Sequence, residues 1–327
     1  MTYSTGGLIQ ATDYNGFVST TANANVNTTW STGSTNAGWG QTALSTVSVG
    51  GTVTATQWAQ LVNTLSSMGS QTGTSITARS APTAGQTISV LAAVNTDLTN
   101  CYTNRNNAAA SGTEYGTFSG TTSQTAATGS GQSAWTITFT HVVTFPSADQ
   151  ARYFFNAGGI VRIKYGKSST GTDSDPDWNT LAGWCGSINI TGGAQTIASQ
   201  GYTGTTRLGG TGGTQTTLST ATGWYALTGT PTTIFQLNNS TAPYSGEYIR
   251  TTATATSTTV LTLVTTWVSD GSSGAGTTAN ISGGTTTTSP STTITGTAPT
   301  TLVTYLPPST TYLTNSWGVP TIAASVA

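Results

Sequence analysis

The sequence predicts a mainly β protein, β-sandwich-like and built of threonine-rich strands, with a partly α-helical N-terminal region. Three observations lead to this class. From about residue 113 onward, short runs alternate apolar residues with threonine and end at Gly, Pro, Asn or Ser, which is the period-two pattern of half-buried strands. Before that point the apolar residues recur at helical spacing. The chain also holds 78 threonines among its 327 residues, and threonine combines a β-branched chain that favours strands with a hydroxyl that water can wet. Repeated short strands of this kind favour a sandwich over a helical fold, with the threonine positions expected on solvent or subunit faces.

The helical signals come first. "LIQATDYNGFV" puts Leu8, Ala11, Asn15 and Val18 on one face, and "TATQWAQLVNTLSSMG" does so with Trp58, Leu61, Val62 and Leu65. Thr54 or Thr56 is the expected N-cap of the second helix and Gly69 its stop. A third stripe runs through Ile88, Leu91, Val94 or Asn95, Leu98 and Cys101 or Tyr102, ending at Gly112. Between the first two helices, Trp30 and Trp39 bracket a glycine-rich turn that leads into an extended stretch.

The strands follow. "SAWTITFTHVVTF" alternates Trp135, Ile137 and Phe139 with Thr136, Thr138 and Thr140, then shifts phase near His141, where a bulge is expected. "GIVRIKYG", "GSINITG", "GWYALTG", "PTTIFQLNN", "GEYIRTTATATSTTVLTLVTTWVSDG" and "TTLVTYLPP" read as further strands. The organisation expected is a helical attachment or oligomerisation region over residues 1–112 and a β-rich part over 113–306. That part is one sandwich or two, with a boundary near residues 170 to 200, and Pro307, Pro308 and Pro320 mark an extended tail over 307–327.

The strongest local pattern is "VTFPSADQARYFFNAGGIVRI", residues 143–163. Pro146 breaks a strand, Ser147 caps a helix from Ala148, and Asp149 sits in the first turn, where a carboxylate meets the positive helix end. Asp149 also precedes Arg152 by three residues, a spacing suited to a surface pair. Ala148, Ala151, Phe154 and Phe155 face one way, and Gly158 and Gly159 end the helix before the strand Ile160 to Tyr165. The unit reads as packing scaffold, with a ligand pocket beneath the helix as the alternative.

This stretch, with "GGLIQATDYNGFV", "GWGQTALSTVSVGGTVTATQWAQLVN" and "LAAVNTDLTNCYTNRNNAA", resembles a family of virion structural proteins of tailed bacteriophages, frequent in cyanophages and other aquatic phages with contractile tails. The resemblance covers roughly residues 6 to 165. It implies a particle component such as a tail, collar or neck fibre or a baseplate appendage, and it supplies no catalytic residues. Beyond residue 170 the chain departs from it.

Composition narrows the function classes. Charged residues make up 5% of the chain and the net charge is −1, against about a quarter charged in ordinary soluble proteins. The eight basic residues are scattered, so no footprint for a nucleic-acid backbone is present. The N-terminus lacks a basic and apolar leader pattern, and no run of 18 apolar residues exists, so neither a secretory signal nor membrane insertion is expected. Disorder is disfavoured by 28 aromatic residues. Cys101 and Cys185 make no metal motif and are expected free, in a reducing compartment.

Few constellations suggest chemistry. Asp173, Asp175 and Asp177 in "GTDSDPDWN" resemble the opening of a calcium loop, but Trp178 and Trp184 stand where such a loop needs Gly and Glu; a solvated turn is the plainer reading. His141, the single histidine, lies mid-strand without a nucleophile motif. Glu114 and Glu247, the two glutamates, stand in no suggestive context for glycoside cleavage. "RLGGTGGTQ" lacks the lysine of a phosphate loop and reads as a turn. Trp178, Trp184, Trp224, Tyr225, Tyr244 and Trp267 are the candidate glycan contacts, set against their use in cores or subunit interfaces.

Taken with the resemblance, these features predict a virion structural protein without enzymatic activity or cofactor. It would assemble in the host cytoplasm as a homo-oligomer, a trimer being the usual fibre state, alongside other virion proteins. The alternatives are a host-surface carbohydrate-binding adhesin and a capsid decoration protein.

Overall fold

Phe145, Phe154, Phe155, Trp224 and Tyr305 meet in one ring cluster, and around it two antiparallel sheets are assembled. The computed structural model describes residues 10–19, 25–32, 37–84, 93–109, 121–123, 134–168, 175–241, 244–271, 278–281, 284–287, 294 and 296–327. The first sheet contains β1 (Thr121–Ser123), β3 (Ile160–Gly166), β4 (Ser187–Ile197), β5 (Gln200–Leu208) and β12 (Thr300–Leu306), in the order β1-β12-β3-β4-β5. The second contains β2 (Trp135–Thr144), β6 (Thr214–Leu218), β7 (Thr232–Asn238), β8 (Tyr248–Ser257), β9 (Val260–Ser269) and β13 (Thr321–Val326), in the order β13-β2-β9-β8-β7-β6. β10 (Thr278–Ile281) and β11 (Gly284–Thr287) form a separate hairpin. The protein is thus mainly β, with helices at its N-terminal end.

The sheets face one another through side chains. Tyr165 of β3 stacks on Phe235 of β7 with ring centroids 6.0 Å apart, and its hydroxyl lies 2.8 Å from Thr251 Oγ1 of β8. Thr251 in turn contacts Thr265 Oγ1 at 2.9 Å, and Trp267 Nε1 donates to Thr301 Oγ1 at 3.3 Å. Threonine therefore fills the interior as well as the outer faces, a correction to the expected outward placement. The hydroxyls of Thr251, Thr265 and Thr301 are tolerated there because each meets another polar atom.

The N-terminal helices are α1 (Ala11–Val18), α2 (Val26–Thr29), α3 (Ala55–Thr72) and α4 (Val94–Thr103). Tyr14 and Phe17 of α1 pack edge-on against Trp58 of α3; in α1 these rings, and not Asn15, form the inner face. Asn15 instead clips the chain at Val47, donating from Nδ2 to its carbonyl at 2.7 Å and accepting from its N–H at 2.8 Å. Thr54 caps α3 with Gln57 closing the capping box. The expected stop at Gly69 is overturned: α3 continues to Thr72, and Gly73, left-handed at φ 65°, ends it. In α4 the buried positions include Val94, Leu98 and Cys101 as the stripe required, whereas Leu8, Ile88, Leu91 and Gly112 lie outside the described residues.

No break in the core marks residue 112. Tyr14, Trp58 and Leu65 belong to the same apolar cluster as Phe139, Trp178 and Ile188. Polar clips add to it: Gln71 Nε2 donates to Ala157 O at 3.2 Å, and Asn156 Nδ2 donates to Gly38 O at 2.9 Å. The C-terminal segment, residues 307–327, is held along its length. Gln41 exchanges bonds with Thr314, Trp317 is buried, and Thr321–Val326 is β13, paired with β2.

Three further expectations are corrected. β2 has no bulge at His141: burial alternates without interruption from Trp135 to Thr144, and pairing to β9 and β13 keeps one register. The phase stays constant because His141 itself occupies an inward, fully buried position. "GWYALTG" is a 3₁₀ turn at Trp224–Ala226, since Tyr225 and Ala226 are both exposed and no two-residue alternation exists. Within "GTDSDPDWN", the described part, "DPDWN", opens helix α6 (Asp175–Cys185) in place of a solvated turn. Pro176 suits a first helical turn, and Trp178, Leu181, Ala182 and Cys185 form a buried stripe at helical spacing.

The unit "VTFPSADQARYFFNAGGIVRI" folds as strand, helix α5 (Ala148–Asn156) and strand. Ser147 Oγ accepts from Gln150 N at 3.2 Å, and Phe154 and Phe155 are fully buried. Gly158 has φ 98°, and a Cβ there would collide with the Ala108 side chain, so only glycine serves. Replacing Phe155 by Ala is expected to cost about 3 to 5 kcal/mol in folding stability, and Thr54→Ala about 1 kcal/mol. Chemical denaturation of the two variants checks both values; equal small losses would contradict this assignment of the core.

Candidate functional site

The outward flank of α5 borders an open cleft. Ser147 starts the helix where β2 ends, which places Ala148, Asp149 and Arg152 along one rim. The 3₁₀ turn between β6 and β7 brings Trp224, Tyr225 and Leu227 to the floor, and the β8–β9 turn adds Ala255, Ser257 and Thr258. The cleft encloses about 500 Å³, within the range of small-ligand sites. Ala148, expected on the inner stripe of α5, is exposed and belongs to this rim.

Two rings give the cleft its character. Trp224 stacks on Phe155 at 5.2 Å with an interplanar angle of 17°, so one indole face is committed to the core. Tyr225 is 43% exposed while its hydroxyl is anchored, donating to Asn156 Oδ1 at 2.8 Å. Burial pushes that phenol's pKa above its ordinary value, with Arg152 opposing. The ring is therefore held rigidly with a face turned outward.

Asp149 and Arg152 pair at 3.0 Å, and the Asp149 side chain is 69% exposed. Arg152 also donates from Nη1 to Thr32 O at 2.7 Å and lies over the Tyr153 ring. Its guanidinium is largely committed, which leaves the Asp149 carboxylate, Ser257 and Thr258 as the groups that can meet a ligand. A flat ring beside hydroxyls and one carboxylate suits a neutral polyhydroxyl molecule better than an anion.

Of the six aromatics expected at a glycan surface, the structure brings only Trp224 and Tyr225 to this cleft. Trp178 and Trp267 are fully buried 5.6 Å apart, and Tyr244 is buried as well, so none of these offers a face to a sugar. Trp184 is half-buried against Gly212, where any Cβ would meet its indole. Asp149 and Arg152 form the i,i+3 pair that their spacing predicts, and their place on a cleft rim depends on β8 and β9 folding beside them.

The other candidates separate. Asp173 and Glu114 lie outside the described residues, and Asp175 and Asp177 belong to α6. Among the described residues no group of three His, Cys, Asp or Glu is placed to hold a metal ion. Asp177 is half-buried, which raises its pKa. Glu247 is 1% exposed, and burial together with Asp177 and Asp270 pushes it up to about 9. "RLGGTGGTQ" ends β5 and turns into β6. No described helix is long and apolar enough to cross a membrane.

Comparison with protein-family models, with curated proteins and with solved structures finds no match to this chain.

Both cysteines are free and buried. Burial raises the Cys101 thiol to about 12 and drives Cys185 higher still, so neither presents thiolate at neutral pH. An alkylating reagent is expected to leave the native chain unmodified over hours and to label two thiols once it is unfolded. Rapid labelling of the native chain would contradict this burial.

Proposed function

We propose that the chain is a structural component of a bacteriophage particle, of the fibre or tail-, neck- or baseplate-associated kind, acting through subunit interfaces as a homo-oligomer. The observation that carries this reading is where the most patterned sequence goes. The stretch with the strongest resemblance, residues 143–163, folds into a unit whose rings fill the core and whose polar ends are clipped to Gly38 and Thr32. The low charge adds support: 17 charged residues in 327 leave little repulsion between neighbouring copies. Exposed apolar groups such as Val49, Val319 and Tyr312 are suited to contact with other subunits.

A second reading, a carbohydrate-binding adhesin, is favoured by one observation, the rigid outward face of Tyr225 beside Asp149. The two readings are told apart by experiment. The structural reading expects an oligomer in sedimentation velocity and a labelled copy at a fixed place in tails imaged by electron microscopy; a monomer absent from particles would overturn it, and label on the head lattice would favour capsid decoration. The adhesin reading expects the purified chain to bind arrayed host glycans, with Tyr225→Ala reducing binding at least tenfold while the melting temperature holds. No glycan bound, or equal binding by the variant, would remove it.

A further inference from the structure

One rung of the six-stranded sheet carries polar groups where its neighbour carries core. Leu237, Ile249, Trp267 and Ile137 align across β7, β8, β9 and β2, and all are buried. Side chains two residues further along point to the same face. The next inward rung is therefore Asn239, Glu247, Ser269 and Trp135: Asn239 N donates to Glu247 O at 2.8 Å, and Ser269 pairs with Trp135.

Asn239, Glu247 and Ser269 are each at most 2% exposed. Asn239 Nδ2, both carboxyl oxygens of Glu247 and Ser269 Oγ close no hydrogen bond among the described residues. Asn239 Nδ2 lies close enough to ease ionisation of Glu247 slightly, but not within normal bonding geometry. Helix α6 covers the rung. Its Trp178 lies 4.9 Å from Trp135 and 5.6 Å from Trp267, and Trp178 Nε1 is likewise unpartnered among the described residues.

Buried polar atoms are almost always bonded to protein or to ordered water. The atoms here are mixed in kind: two N–H donors, a hydroxyl and a carboxyl. Asn239 Oδ1 is already engaged by Thr241 N at 2.9 Å, so its amide turns donors toward the niche. Such a set suits bridging water and a protonated carboxyl, and it opposes a metal ion, which would meet N–H groups.

Among the described residues, the charged groups that act on Glu247, Asp177 and Asp270, are both acidic. Asp177 comes from α6 and Asp270 from the end of β9; the loop from Asn239 contributes neutral Asn239 and Tyr244. Tyr248 and Arg250 alternate to the other face of β8. We propose that Glu247 binds a proton in this water-bridged niche and thereby makes the seating of helix α6 on the sheet depend on pH. When Glu247 is neutral, its O–H can donate to the bridging water or to Ser269. When it ionises, the proton leaves to solvent and the new charge repels Asp177, loosening the helix that carries it.

The sign of the effect follows from linkage. The folded-state value, about 9, stands above the usual 4.5, so the contribution is complete below about pH 4.5 and is lost as pH rises through 9. Thermal melts of the full chain between about pH 5 and pH 9.5 test this, with tryptophan fluorescence reporting on Trp178. The melting temperature is expected to fall as pH rises; Glu247→Gln is expected to flatten that slope and raise the value at pH 9. An identical slope in Glu247→Gln would overturn the proposal. So would calcium chloride raising the melting temperature of the unaltered chain but not of the variant, which would make the niche a cation site. Should Glu247→Gln fail to fold, the unaltered chain decides: a reversible fluorescence transition near pH 9 is expected, and a flat titration would overturn the proposal.

Discussion

The structure depends on a contact between rings that no threonine could make. Phe145 at the end of β2, Phe154 and Phe155 of α5, Trp224 between β6 and β7, and Tyr305 of β12 lie with centroids 5.1 to 6.0 Å apart. These residues come from both sheets and from the helix that joins them. A chain with so few charges cannot draw on ion-pair networks, and threonine buries little apolar area per residue. The aromatic cluster supplies the area in one place, and α5 is short, strongly capped and closed by glycine because it has to deliver two rings there.

The same cluster sets where the cleft lies. Trp224 must stack on Phe155, so the chain between β6 and β7 turns tightly, and Tyr225, next in sequence, is pushed to the surface. Its hydroxyl is caught by Asn156, the last residue of α5, whose amide is also tied to Gly38. The outward ring is therefore a by-product of core packing, made rigid by bonds that run back into the core. A ligand meeting this ring would find it already ordered, which lowers the entropic cost of binding.

Much of the fold was legible in the sequence because its signals are local. The alternation in β2, β8 and β9, the cap at Thr54 and the start, paired rings and glycine stop of α5 depend on neighbours within one element. What was not legible depends on partners far along the chain. His141 looked like a break in phase because a histidine reads as polar, yet it sits inward in an unbroken strand. Alternate aspartates masked the stripe of α6, which becomes apparent only from Trp178 onward. Threonine was assigned outward because its hydroxyl is wettable, and nothing local reveals that Thr251 faces Thr265 and Tyr165. The candidate aromatics split for the same reason: burial of Trp178 and Trp267 against one another follows from the register of β2 and β9 and the landing place of α6.

Two kinds of polar interior follow from this architecture, and they differ in consequence. Between Tyr165, Thr251 and Thr265 each hydroxyl meets another, so the column adds directional bonds to a sandwich whose apolar content is thin. At the rung of Asn239, Glu247 and Ser269 the hydroxyl and amide groups face a carboxyl under an indole roof and close no bond with one another among the described residues. Neutral groups alone can close the first arrangement in any solution. The second has a member whose charge solution can change, and it lies under helix α6, which packs on β3 of one sheet and on β7 and β8 of the other. A chain nearly free of charge thus concentrates its response to solution conditions at a junction between its two sheets.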